Sequence, residues 1–315
     1  MADEKLFRTI LCPVDFSEHS RQALSYAALL ARNGGRLIVI YVEDALLAAA
    51  ARVEYDEKLM GDKARMELRR FVERVVTRYG VSLSSVTLDV AVGRPWEVIE
   101  WTADRLKCDL IVMGAHGRTG ANKLMFGSTT HRVLRRSPLP VLATPPAKSS
   151  SSRPPRGWPG KRVIAPIDLG ARGRADALVA AIVARELGTT IELMHVVEPV
   201  VEPPWLEMDA SRRNLQRQRL AMARLTSLKN ELTWAATGCR VEMGKPADKI
   251  AAVATSTDVG LVIMTRRRGQ GLLGPRQGSI SYEVLRKADT PVMALPSDRK
   301  WLRRALALRP KSRSR

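Results

Sequence analysis

Short apolar runs alternate with amphipathic stretches along most of the chain. Runs such as "RLIVIYV" and "DLIVM" are apolar at nearly every position, as is typical of strands that are covered on both faces in a parallel sheet. The stretches between them have apolar residues at helical spacing. In the first half, the pattern predicts strands at 8–14, 36–42, 85–91, 110–114 and 140–143, and helices at 18–32, 57–79, 95–106 and 128–136.

This pattern occurs twice. The triplet Pro13-Val14-Asp15 aligns with Pro166-Ile167-Asp168, an offset of 153 residues. Farther on, "CDLIVMGAHG" aligns with "VGLVIMTRRR", an offset of 151 residues. Because the offset is nearly constant over about a hundred residues, the chain is a tandem duplication. In the second half the pattern also predicts a long helix near 211–236.

The alternation of strands and helices predicts an α/β fold with right-handed crossovers. We expect two tandem, doubly wound domains, each with a five-stranded parallel sheet. The stretch "PPAKSSSSRPPRGWPG" separates the halves and is rich in Pro, Ser and Gly, as linkers are. The predicted division is domain 1 at 1–147, a linker at 148–160, domain 2 at 161–297 and a basic tail at 298–315.

Composition narrows the choice of partners and compartment. The 315 residues carry a formal net charge of +20, which favours anionic partners such as nucleotides, nucleic acid or acidic lipid. Aromatic residues make up only 5%, which argues against single-strand binding by base stacking. The cysteines Cys12, Cys108 and Cys239 are far apart, which predicts a reducing compartment and thiols that act as small buried apolar groups. With neither a signal-like start nor a long apolar run, we expect a cytoplasmic protein.

The tail concentrates part of the charge. Residues 299–315 contain eight basic residues and no acidic one. The segment 299–309 can form a short helix with apolar residues such as Trp301 and Leu306. Two interpretations stand: a disordered, solubilising tail, or a tether to an anionic surface, either acidic membrane or nucleic acid.

The most informative stretch is "GAHGRTGANKLMFGS", residues 114–128, between the fourth predicted strand and a helix. Gly114 and Gly117 have no Cβ, so a ligand can approach the main chain closely. Gly127 and Ser128 stand at the helix start, where backbone N–H groups and the helix dipole attract an anion. Ser128 can either cap the helix or donate its hydroxyl to a phosphate. The stretch predicts a phosphate cradle; a tight turn followed by a helix cap is the alternative.

The spacing Gly114-x2-Gly117-x9-Gly127-Ser128 resembles the G-x2-G-x9-G-S/T motif of the universal stress proteins. The opening "ILCPVDFSEHS" and the segment "GRPWEVI" are also similar to that family. The resemblance covers residues 6–145 and 161–296 and is more specific in the first half. It implies a 3-2-1-4-5 parallel sheet of the adenine nucleotide alpha hydrolase-like type, and ATP binding where the motif is kept.

The resemblance also implies roles for individual residues. Asp15 would face the adenine, with Pro13 shaping its turn; a plain turn or helix cap is the alternative for Asp15. The other implied ATP-binding residues are Val42 beside the base, Met113 and Gly114 along the ribose, and Gly117, Gly127, Ser128 and Thr129 at the phosphates. Arg118 and Lys123 are either solvated loop cations or groups that reach a γ-phosphate; His116 is assigned no role.

The second half departs from this motif. Thr265 stands at the position of Gly114 and Arg268 at that of Gly117, whereas Asp168 and Gly278-Ser279 are kept. A side chain at Arg268 removes the close approach to the main chain. Domain 2 is therefore either a degenerate partner in an intramolecular pseudo-dimer with domain 1, or carries a different anion site formed by Arg266, Arg267 and Arg268.

The leading functional hypothesis is an ATP-binding regulator of the stress response. Domain 1 would hold ATP with Mg²⁺, without a catalytic residue or a protein metal site, and a homodimer and an unidentified protein partner are further expectations. The alternatives are an ATPase or phosphotransferase, for which the sequence shows no compelling general base, and a nucleic-acid-binding scaffold, for which it shows no DNA- or RNA-binding motif.

Overall fold

The computed structural model describes residues 5–45, 48–49, 57–115, 127–145, 154, 157–160, 162–200, 205, 209–256, 258–266 and 280–308. These residues divide into two units, one built mainly from residues 5–156 and the other mainly from residues 157–315. We call them domain 1 and domain 2. Each has the alternating strands and helices that the sequence pattern predicts.

Domain 1 is a five-stranded parallel sheet with connecting helices. Its strands lie in the order β3-β2-β1-β4-β5, which confirms the predicted fold class. The strands are β1 (Thr9–Val14), β2 (Arg36–Asp44), β3 (Val86–Gly93), β4 (Leu110–Gly114) and β5 (Val141–Thr144), and the helices are α1 (Glu18–Ala31), α2 (Glu57–Val76), α3 (Pro95–Arg105) and α4 (Ser128–Arg136). These bounds differ from the predicted ones by at most two residues, except that α2 gives way to a 3₁₀ turn at Thr77–Tyr79.

Domain 2 repeats this arrangement. Its strands lie in the order β8-β7-β6-β9-β10 and all pair in parallel. The strands are β6 (Arg162–Pro166), β7 (Ile191–Val197), β8 (Ala236–Met243), β9 (Val259–Thr265) and β10 (Val292–Leu295), and the helices are α5 (Gly173–Glu186), α6 (Ala210–Glu231), α7 (Pro246–Ala254), α8 (Ile280–Lys287) and α9 (Arg299–Ala307). Among the described helices, none combines the length and the apolar character that crossing a membrane requires.

One predicted helix is too long. The helix predicted near 211–236 ends at Glu231, because Ala236 pairs with Ile191 of β7 and so has extended backbone. The apolar residues Leu232, Ala235 and Ala236 continue the helical pattern in the sequence, but their burial comes from the start of β8 and the turn before it. Strand pairing therefore overrides the local pattern here.

The central strands form the core of each sheet. Ile10, Leu11 and Cys12 of β1 are fully buried, as are Leu110 and the next two residues of β4. Asp109 joins these strands, because its Oδ2 accepts hydrogen bonds of 2.9 Å from the main-chain N–H groups of Arg8 and Thr9.

The cysteines fit this packing. Cys12 and Cys108 are buried, and Cys239 is partly buried. Burial raises the pKa of the Cys108 thiol to about 11 and also raises the pKa of the Cys12 thiol. Because thiolates are the reactive form, these two side chains act as small apolar groups, as the sequence predicts.

The end of the predicted linker packs on domain 2. The indole N–H of Trp158 donates a 2.7 Å hydrogen bond to the carbonyl oxygen of Gly260, in β9. A Cβ at position 260 would lie 1.8 Å from the carbonyl oxygen of Pro159, so only glycine fits there. Residues 157–160 are thus fixed to the second sheet.

The start of the basic tail is also packed. Asp298 caps α9, accepting hydrogen bonds from the N–H groups of Lys300 and Trp301. Trp301 and Ala305, one turn apart, are buried, and α9 packs against α5. The expectation of a disordered, solvated tail is therefore wrong for residues 299–308; residues 309–315 lie outside the described residues.

Candidate functional site

The turn after β1 positions Asp15. Its Oδ1 accepts hydrogen bonds from the main-chain N–H of Ser17 at 3.1 Å and from the Ser17 hydroxyl at 2.5 Å. The helix cap is Ser17, whose Oγ accepts from the N–H of Ser20. Asp15 thus holds the turn with one carboxylate oxygen and remains half-buried at the strand end. Pro13 pairs with Ile40 inside β1, two residues before Asp15.

Phe16 has a backbone conformation that is rare for a residue with a side chain. Its φ is +64°, in the left-handed region. Its ring packs against Tyr41, with centroids 4.6 Å apart, and meets Phe71 edge-on at 5.5 Å, while the Arg21 guanidinium lies 4.6 Å from the Phe71 centroid. Strain of this kind persists where the surroundings fix the residue, and it is common at ligand sites.

The sequence interpretation did not identify this aromatic cluster. Phe16 is adjacent to Asp15, but Phe71 is 55 positions away in the chain. Only the fold brings the three rings together beside the first strand end. In the sequence, the feature that could have indicated the cluster is Phe16, directly after the predicted turn residue Asp15.

Three strand ends meet at one edge of the sheet. Val14 pairs with Tyr41, and Gly114 pairs with Thr144. Leu11 of β1 pairs with Ile111 of β4, and the two strands are parallel. Three residues farther along each strand, Val14 therefore lies level with Gly114. The predicted site residues Asp15, Val42 and Gly114 are therefore together at this edge, where parallel α/β sheets bind ligands. The side chain of Met113 is buried in the core, which leaves its main chain as the group nearest the edge.

Hydrogen bonds hold both ends of the glycine-rich segment together. The N–H of Gly127 donates to the carbonyl oxygen of Ala115, and the N–H of Ala115 donates to that of Thr144, both at 2.9 Å. The Thr130 hydroxyl donates to the carbonyl oxygen of Gly114 at 2.7 Å. The segment therefore leaves and returns at adjacent points. Gly117, His116, Arg118 and Lys123 lie outside the described residues.

The N-terminus of α4 faces this edge without a side-chain cap. Gly127 occupies the cap position and there is no side-chain cap hydrogen bond, so Ser128 is not the helix cap. The alternative, that its hydroxyl donates to a phosphate, stays a prediction. Ser128 is exposed and Thr129 half-buried, as groups that meet a ligand would be. The nine residues of α4 contain no acidic side chain. Their aligned peptide dipoles favour an anion at this end.

A buried hydroxyl lies next to the strand end. Thr144 is fully buried, and its Oγ1 has no hydrogen-bond partner among the described residues. It pairs with Gly114 in the sheet. An unsatisfied buried polar atom costs about 1–3 kcal/mol, so a ligand or water that reaches this position would be stabilised.

Domain 2 presents a different set of groups at the matching edge. Asp168 is exposed, and its Oδ1 accepts from the N–H of Gly170 at 3.0 Å. Arg266 occupies the place of Ala115, since its N–H donates to the carbonyl oxygen of Leu295, but its side chain is buried. The anion site of Arg266, Arg267 and Arg268 stays a prediction. Arg267, Arg268 and Gly278-Ser279 lie outside the described residues.

The described residues contain no group of three or more His, Cys, Asp or Glu side chains that could hold a metal ion. The site can bind an anion through main-chain N–H groups and a base or sugar beside Asp15.

Comparisons with known proteins agree with this geometry. The model of the universal stress protein family matches residues 6–145 and 160–296. A universal stress protein of Thermus aquaticus is 33% identical over 138 residues, covering 44% of this chain and 98% of that protein. The universal stress protein MJ0531 of Methanocaldococcus jannaschii is 31% identical over 144 residues, covering 44% of this chain and 82% of that protein.

Over nearly the whole chain, the fold is similar to the crystal structure of a universal stress protein from Archaeoglobus fulgidus. The TM-score is 0.61 at 18% identity, and the match covers 92% of this chain and 99% of that one. At this identity the likeness concerns the fold. The two curated relatives named above each match 44% of the chain, which fits a protein made of two copies of one domain.

Proposed function

Because the chain belongs to the universal stress protein family through both of its halves, we propose that domain 1 binds ATP with Mg²⁺ and that the protein acts as a nucleotide-dependent regulator in the stress response. The observation that carries the proposal is the junction at the end of β4. There the family motif coincides with a loop whose ends are joined and with a helix N-terminus that no side chain caps.

Each part of the nucleotide has a complementary group at this edge. The base and ribose would lie across the ends of β1, β2 and β4, beside Asp15, Val42, Met113 and Gly114. The phosphates would meet Gly117, Gly127, Ser128 and Thr129, where N–H groups and the dipole of α4 stabilise negative charge. The Thr144 hydroxyl lies next to Gly114 and is a further donor for a group that reaches the strand end.

We infer that ATP is bound rather than turned over. Phosphoryl transfer requires a group that positions or deprotonates the nucleophile. Asp15, which the family resemblance places beside the adenine, uses one oxygen to hold its own turn. Main-chain N–H groups bind phosphate without supplying a general base. The pairing of the two domains stays a prediction of the tandem repeat. A homodimer and an unidentified protein partner stay separate predictions.

Titration calorimetry with Mg·ATP tests this proposal. We expect about one ATP per chain, because domain 2 has Thr265 at the position of Gly114 and Arg268 at that of Gly117. Two equivalent sites per chain would contradict the assignment to domain 1. No binding would contradict the proposed function itself. Phosphate release, measured on the same sample, separates a binder from an ATPase.

A second role is favoured by the cationic outer face of α9. Lys300, Arg303 and Arg304 are exposed, whereas Trp301 and Ala305 are buried against domain 2. The buried apolar residues are not available for insertion into lipid. Attachment to an anionic surface would therefore be electrostatic, with about 1 kcal/mol for each cation near the surface.

Co-sedimentation with acidic phospholipid vesicles checks this tether. We expect the full chain to sediment at low ionic strength and to be released by salt, because surface charges are screened over about 10 Å at 0.1 M. The triple variant Lys300→Gln, Arg303→Gln, Arg304→Gln should sediment less while binding ATP equally well. If the full chain fails to sediment with vesicles at low salt, the membrane tether is wrong. If it binds DNA at low salt but not the vesicles, the anionic surface is nucleic acid.

A further inference from the structure

Domain 2 contains a cavity at the edge where domain 1 carries its candidate site. Its volume is about 600 Å³, within the range of roughly 300–1,000 Å³ that is common for small-molecule sites. It is lined by the ends of β6, β7 and β9, by α6, and by the start of α8. All of its lining residues belong to domain 2, so the cavity is independent of the ATP site proposed above.

Two positions that line this cavity have aromatic side chains in domain 1. Pro13 pairs with Ile40 and Pro166 pairs with Met194, so Tyr41 corresponds to His195. Phe16, which follows Asp15, corresponds to Leu169, which follows Asp168. In domain 1 the two rings pack together at 4.6 Å. In domain 2 the smaller side chains line an open cavity.

The walls of the cavity are mainly apolar. Twelve of its twenty lining residues are aliphatic, methionine or proline. Met194 and Met264 are flexible and polarisable, and can adapt to the shape of a ring. Leu220 and Ile280 are exposed, at 56% and 46%, although each lines the cavity, so its mouth is apolar as well. Such walls favour a ligand whose main part is apolar.

The polar groups at the strand ends are acceptors. His195 Nδ1 lies 2.8 Å from the carbonyl oxygen of Ile167. Since a carbonyl oxygen only accepts, Nδ1 carries the proton, and Nε2 is the acceptor of the neutral ring. The carboxylate of Asp168 also lines the cavity and also accepts. A ligand would complement these groups with an O–H or N–H donor.

The charges along the wall disfavour an anion. The lining contains the carboxylates of Asp168, Asp176 and Glu198 and the guanidinium groups of Arg217 and Arg224. The Arg217 Nη1 donates to the main-chain oxygen of Glu198 at 2.6 Å. With three carboxylates against two guanidinium groups, the lining residues supply no net positive charge for an anion.

We propose that this cavity binds a neutral, apolar ring compound that carries a hydrogen-bond donor. The donor meets the acceptors at the ends of β6 and β7, and the ring lies against the methionine and aliphatic walls. Nothing in this inference depends on whether domain 1 binds ATP.

Three naphthalenes of similar size test the proposal on the full chain at pH 7, by fluorescence titration. 2-Naphthol is neutral and donates, 2-methoxynaphthalene is neutral and cannot donate, and 2-naphthalenesulfonate is an anion. We expect one saturable 2-naphthol site per chain, at least threefold tighter than the methoxy compound and at least fivefold tighter than the sulfonate. Equal or tighter binding of the sulfonate, or no saturable binding of 2-naphthol, would overturn the proposal.

Two exposed leucines on α6 provide a matched pair of variants. Leu220 lines the cavity, whereas Leu215 is similarly exposed, at 48%, and does not. Leu220→Asp should weaken 2-naphthol binding at least tenfold, and Leu215→Asp should change it less than twofold. Because both side chains are exposed, both variants should fold, which circular dichroism verifies. Equal effects of the two variants, or displacement of 2-naphthol by ATP, would show that 2-naphthol does not bind in this cavity.

Discussion

Replacing Gly117 by valine is expected to weaken ATP binding at least tenfold, which corresponds to about 1.4 kcal/mol. The motif places Gly117 where a phosphate approaches the main chain, and a branched Cβ would occupy that space. The fold should persist, because the ends of the segment are held by hydrogen bonds at Ala115, Gly127 and Thr130, which the substitution leaves intact. Titration calorimetry with Mg·ATP measures the change in affinity.

Gly120→Val is the matched control. Gly120 lies in the same glycine-rich segment but outside the spacing of the motif. We expect its ATP affinity to stay within about threefold of that of the unchanged protein. Unchanged ATP affinity in a folded Gly117→Val variant would contradict the prediction of a phosphate cradle in domain 1. An equal loss of ATP affinity in both variants would show that the substitutions act through the conformation of the segment. The close approach of a phosphate to Gly117 would then not be the cause.

Trp301→Ala is expected to lower the free energy of unfolding of domain 2 by about 3 kcal/mol. Burying a large aromatic side chain is worth about 3–5 kcal/mol relative to alanine, and only 6% of Trp301 is exposed. Alanine is the better helix former, which places the expected loss at the lower end of that range. Urea denaturation followed by circular dichroism measures it.

Leu306→Ala on the same helix is the control, since 37% of Leu306 is exposed. It should change the stability by no more than about 0.5 kcal/mol. If Trp301→Ala were equally mild, α9 would contribute nothing to domain 2 and the tail would begin directly after β10. A large loss shows that the first part of the tail is an integral part of the domain.

The fold follows from local features of the sequence. Strands buried on both faces are apolar throughout, and the helices between them repeat at 3.6 residues, so β1, β4 and their neighbours can be identified from the residues alone. The duplication is equally local, because the two turns after Pro13 and Pro166 have the same form. The glycine spacing of residues 114–128 identified the candidate site for the same reason.

Several features of the site depend on residues that are distant in the chain. Phe16 and Phe71 meet only when α2 packs against α1, and Thr144 meets Gly114 only when β5 pairs with β4. The helix cap at Gly127 was wrongly assigned to Ser128, because boundaries one residue apart cannot be separated by a hydrophobic pattern.

The chain's sequence by itself determined two α/β domains, their tandem repeat and the glycine spacing of the family motif in the first, because periodicity and motif spacing are properties of neighbouring residues. Only the tertiary structure decided that α6 ends at Glu231, that Trp301 anchors the tail, and that domain 2 has a cavity next to His195. These outcomes depend on strand pairing and on which side chains fill a shared space. Both are set by contacts between distant segments, which no local pattern encodes.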